Sequence, residues 1–173
     1  MSYGPDILPA VDQAQVESLV RVTARISAAA FVTALIAFSI RRANPARVSY
    51  AIRSLIAFIA VHTIHFGAVM WLAGMTAGEN IRARGGWTLL VPVAVLFYLA
   101  AFAILRAWWS LAARPSASRG VPWTSHAGVA FIALIFLNSY VARVGTLPAY
   151  WVPATVMIAA VFAYSGFWRR MSR

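Results

Sequence analysis

The chain contains no cysteine and no lysine, and only four acids among its 173 residues. Without cysteine there is no disulfide, zinc–thiolate site, iron–sulfur cluster or thiol nucleophile. Without lysine a retinal or pyridoxal Schiff base is excluded, so a rhodopsin-like reading fails despite the size. The acids are Asp6, Asp12, Glu17 and Glu79, and each lies outside the long apolar runs. A carboxylate relay through a membrane, as used by pumps, is therefore missing. Nothing resembles a phosphate loop, a nucleophile–base pair or a nucleotide site.

What is present is apolar. Hydrophobic residues make up 62% of the chain and charged ones 11%, with a mean hydropathy of +0.75. A soluble domain is about half apolar and a quarter charged. The composition therefore predicts a single integral membrane domain over 1–173, with 1–21 as a polar N-terminal lead-in. The lead-in does not read as a signal peptide, because three acids and no basic cluster precede the apolar run. The net charge of +11 points to lipid headgroups rather than nucleic acid, since the arginines fall between apolar runs.

The hydropathy pattern predicts an all-α, polytopic membrane helix bundle. Five transmembrane helices are expected at about 22–40, 54–75, 87–112, 124–142 and 149–168, each long enough to cross a bilayer. Asp12 followed by Gln13 to Arg25 reads as a short helix leading into the first span. Asn44-Pro45, Gly78-Glu79-Asn80, Gly85-Gly86 and the Pro/Ser/Gly-rich segment Arg114 to Trp123 punctuate the connectors. Trp87, Trp108 and Trp109 bracket the third span, as interfacial tryptophans do. Ten arginines fall at the end reached by the first connector, the third connector and the C-terminal tail, against five at the other end. The positive-inside rule then predicts an N-out/C-in orientation.

The polar residues within the spans carry what chemistry there is. His62 and His65 stand three apart in the second span and share one helix face. The third histidine, His126, opens the fourth span. An imidazole in lipid costs several kcal/mol unless it faces protein, water or a bound group. Two readings follow: hydrogen bonds across the bundle, or ligation of a haem iron by facing imidazoles. His62 lies nine residues past Arg53, about 13–14 Å of rise, and His65 about 4.5 Å deeper. His126 lies three residues past Trp123 and seven past Arg119, so depth matches it to His62 better than to His65. His65 is then a substitute ligand or a hydrogen-bonding neighbour. Arg106, near the end of the third span, could pair with a haem propionate or a quinone oxygen, or snorkel to the headgroups. Asn138, Ser139 and Tyr140 form a polar group deep in the fourth span, read as bonds across helices or as a quinone pocket. Gly67, Ala68, Ala73 and Gly74 give the second span small residues, for close packing or for a flat macrocycle.

A basic connector with Arg47 and Arg53, then a helix with central histidine, resembles the ferric reductase-like transmembrane domain family (MsrQ/YedZ-type haem membrane proteins). The Gly85-Gly86-Trp87-Thr88-Leu89-Leu90 opening of the next helix and Trp123-Thr124-Ser125-His126 are similar to it as well. The likeness covers roughly 48–145. Family members carry a second histidine deeper in the later helix, where this chain has Asn138-Ser139-Tyr140. The resemblance thus implies a b-type haem, one rather than two, with His62 and His126 as axial ligands and His65 as alternative. It further implies electron transfer in a membrane oxidoreductase subunit supplied by quinol or a redox partner protein, in a bacterial inner membrane. Two other classes compete: a cofactor-free scaffold or regulatory subunit of a larger complex, and a small-solute transporter. The transporter is weakened by the lack of intramembrane carboxylates and of repeat symmetry.

Overall fold

The computed structural model describes residues 12–40, 46–82, 86–113, 121–145 and 147–171. Among them there is no strand; the elements are α1 (Gln13–Ser39), α2 (Ala46–Met75), the short α3 (Glu79–Arg82), α4 (Trp87–Ala113), α5 (Trp123–Val144) and α6 (Trp151–Met171). A 3₁₀ turn, Pro148–Tyr150, leads into α6. The five long helices each carry an apolar stretch sufficient to cross a membrane. The protein is an all-α, multi-pass bundle. The Asn44-Pro45 turn, Gly85 and the connector from Arg114 to Gly120 lie outside the described residues.

Two helices run longer than hydropathy predicts. The short lead-in helix and the first span are one continuous α1, started where the Asp12 carboxylate accepts the Ala14 amide at 3.3 Å. α2 starts at Ala46, so Arg47 and Arg53 belong to the helix and not to a connector. At 27 and 30 residues, these helices are about 40 and 45 Å long, more than the roughly 30 Å hydrocarbon layer. α2 stops where the Gly78 amide donates back to the Ala73 carbonyl at 2.8 Å, with Ala77 left-handed at φ 48°.

The long helices form a closed ring: α1 packs on α2, α2 on α4, α4 on α5, α5 on α6, and α6 returns to α1. α1 is the most enclosed helix and α4 the most peripheral. Phe31, Leu35, Leu55, Phe58, Ile104, Trp108, Ile132 and Met157 are fully buried and fill the interior. α4 and α5 approach so closely at Gly128 that an added Cβ would stand 3.0 Å from the Ala100 carbonyl oxygen. A side chain there would have to push this carbonyl and Ile104 back by a few tenths of an ångström. Gly67 and Gly74 are different: nothing lies within 4 Å of an added Cβ, so their lack of a side chain serves no contact inside the bundle. Of the four small residues Gly67, Ala68, Ala73 and Gly74, Ala68 and Ala73 are packed inward.

Candidate functional site

The histidines of α2 face α1. The Nδ1 of His62 and the Oγ of Ser27 share a hydrogen bond at 3.1 Å. One turn on, His65 Nδ1 lies 3.1 Å from the Val20 carbonyl oxygen and 3.2 Å from Thr23 Oγ1. A carbonyl only accepts, so His65 carries its proton on Nδ1 and donates it to Val20. Thr23 meanwhile donates its own hydroxyl proton to the Leu19 carbonyl at 2.7 Å. Ser27 is fully buried and Thr23 nearly so. Residues 20, 23 and 27 recur at helical spacing, which sets their groups along one stripe of α1 opposite the two imidazoles.

The rest of the His62 ring is enclosed by aromatics. It stacks on Phe97 of α4 at 3.9 Å between centroids and 19° between planes. Phe58 and Phe136 lie at 5.8 and 6.2 Å, and His65 at 5.4 Å. His62 therefore sits where α1, α2, α4 and α5 meet, filled on one face by a phenyl ring.

His126 belongs to another cluster. Its ring meets Tyr164 of α6 edge-on at 5.1 Å, and its Nε2 is shut away from solvent. Tyr164 shares a buried 3.0 Å hydrogen bond with Ser125 and packs against Phe38, which stacks on Trp108 at 4.2 Å. Phe136, the α5 residue level with His62, lies ten residues beyond His126, about 15 Å of helical rise. The bundle thus brings His62 and His65 together and seats His126 at a different depth.

A haem held from both faces needs two imidazoles at one level with a flat space between them. His62 and His126 do not fit that requirement, and Phe97 already covers a face of the His62 ring. His62 and His65 share one helix, whose own backbone would obstruct a macrocycle between them. What does match ligation chemistry is the way each Nδ1 is held by α1, because a ligating imidazole usually has its other nitrogen fixed in this manner.

Arg106 is exposed on α4. The polar group in α5 is dispersed: Asn138 is exposed, Tyr140 is buried against Phe136 and Tyr150, and the Ser139 carbonyl accepts the Arg143 guanidinium at 2.9 Å. Thr23, Ser27, Ser125 and Tyr164 are the partners that sequence reasoning did not single out. Their available signal was spacing, with Thr23 and Ser27 one turn apart like the histidines they meet. Set against models of protein families, curated proteins and solved structures, the chain matches none of them.

Proposed function

We propose that the protein is a cofactor-free membrane scaffold, a subunit whose rigid bundle holds its place in a larger membrane complex. The observation that supports this reading most is the use made of the polar side chains inside the bundle. Ser27–His62 and the His65 bond to the Val20 carbonyl join α1 to α2, and Ser125–Tyr164 joins α5 to α6, while the exposed Tyr98–Thr63 bond joins α4 to α2 at the bundle surface. Each serves a seam of the ring, and intramembrane hydroxyls and imidazoles commonly act in this way. The arginine bias supports a cytoplasmic C-terminus, and arginine-only basic usage supports a bacterial inner membrane.

A second reading keeps a b-type haem or a quinone on one imidazole. It is favoured by the His65 Nδ1–H bond to Val20, which in the neutral ring leaves the lone pair on Nε2. On that reading His65 or His62 holds the group from one side, and the chain is a redox subunit.

One purification decides between them. Protein from haem-supplemented cells is expected to be colourless, and mild solubilisation of native membranes should release it in an assembly larger than the chain alone. A Soret band that shifts on dithionite and disappears in His65→Ala or His62→Ala would replace the scaffold with the redox subunit. Migration as the lone chain from native membranes would also overturn the scaffold.

A further inference from the structure

A groove of about 340 Å³ opens between α1 and α2, lined by Thr33, Ile36, Ala37, Ile40 and Tyr50. Residues 33, 36, 37 and 40 follow helical spacing, so they form a strip along α1 about 10 Å long. The strip is apolar in effect, because Thr33 spends its hydroxyl on the Ala29 carbonyl at 2.8 Å. The groove begins at the last turn of α1 and runs toward the middle of the bundle, which is the course of the upper part of an acyl chain. Its opening lies at the arginine-rich end.

The charge there is one-sided. Among the described residues the acids are Asp12, Glu17 and Glu79, all at the opposite end of the bundle, so none of them is available to the arginines at this one. The antiparallel register locates Arg53 within the groove's length. Ser27 pairs with His62 and Phe31 with Phe58, and continuing that register sets Arg53 opposite Ile36 and Tyr50 opposite Ser39. Arg53 is exposed and, among the described residues, has neither an ion pair nor a hydrogen bond. It stands one turn from Tyr50 on the same side of α2. Its long stem can lie along apolar surface while the guanidinium rises to the headgroup level.

We propose that this groove is a site for one anionic phospholipid, its acyl chain along the α1 strip and its phosphate held by Arg53 and the Tyr50 hydroxyl. The occupant is a lipid rather than a second protein, because the groove is small, is lined almost wholly by apolar side chains, and lies level with a cation that has no counter-ion among the described residues. Basic pockets between helices on the cytoplasmic side recognise such headgroups. The inference depends on the membrane-spanning bundle and not on whether any imidazole carries a cofactor.

The test is native mass spectrometry of the intact chain from micelles holding equal amounts of phosphatidylglycerol and phosphatidylcholine with identical oleoyl chains. Phosphatidylglycerol adducts should survive at several-fold higher occupancy. Arg53→Gln, at an exposed position, should bring the two lipids to parity with helicity by circular dichroism unchanged. Thr33→Phe, at an exposed lining position, should narrow the groove and lower the occupancy of both. Arg143→Gln at the opposite end should leave the preference intact. Equal occupancy of the two lipids in the unaltered chain would overturn the site. So would a preference that survives Arg53→Gln, or one that Arg143→Gln abolishes equally.

Discussion

His62 and His126 are the same residue in two settings, and the bundle uses them differently. His62 is held by its nitrogen, through Ser27, and by ring contacts to four neighbouring aromatics within 6.3 Å. His126 meets Tyr164 edge-on, at the arginine-rich end and near the start of α5. The first imidazole ties four helices together at mid-depth; the second lies at the α5–α6 seam near one end of the bundle. A shared residue type in two apolar runs is therefore poor evidence for a shared site. Depth and neighbours decide.

The contrast breaks most visibly under truncation. His62→Ala removes a ring from the packed junction of Phe58, Phe97 and Phe136 and leaves Ser27 without its imidazole. We expect a loss of about 3–4 kcal/mol, by analogy with aromatic truncations in cores. His126→Ala, near the end of its helix, gives up the edge-to-face contact with Tyr164, itself about 1 kcal/mol, and should cost less than His62→Ala. Denaturant titration in micelles measures both; equal losses would remove the distinction between the two clusters.

A second variant probes the wall between the clusters. Gly128→Ala forces α4 and α5 apart against the Ala100 carbonyl, at a cost of about 1–3 kcal/mol from overpacking. Gly67→Ala and Gly74→Ala, which meet nothing within 4 Å, should cost nothing and stabilise by up to about 1 kcal/mol through alanine's better helix propensity.

The hydroxyl–imidazole bonds are smaller still. A double-mutant cycle on Ser27→Ala and His62→Ala should give a coupling of about 0.6–1.7 kcal/mol, the range found for intramembrane hydrogen bonds. The cycle on Ser27 and His126 should give zero. The smallest effect lies at the end of α2, where Ala77→Gly relieves a left-handed residue and should stabilise by about 0.5–1 kcal/mol.

Much of this architecture was legible in the apolar runs. The start of α4 coincides with its hydropathy boundary because Trp87 follows directly on a loop glycine, and α5 begins within one residue of expectation. The depth of the histidines was not legible, and the reason is specific. Counting from Arg53 assumes that an arginine marks the end of a helix. Arg53 lies inside α2, which starts at Ala46, so His62 is sixteen residues into its helix whereas His126 is three into α5. An arginine can snorkel from within a helix, and hydropathy cannot distinguish that from a connector. Ser27 and Thr23 escaped notice for a related reason. A hydroxyl in an apolar helix can satisfy itself on the carbonyl four residues back, as Thr33 and Thr63 do, so its presence alone does not reveal a partner on another helix.

The separation of the two imidazoles is the claim from which the rest follows, and the cysteine-free chain offers a clean way to measure it. Cysteines introduced as pairs, His62→Cys with Phe136→Cys and His62→Cys with His126→Cys, remove the same junction imidazole in each case. A short bifunctional thiol reagent should join residues 62 and 136 within one chain and fail to join 62 and 126. Ready joining of 62 to 126 would bring those positions to one level, and the two-cluster account would be wrong.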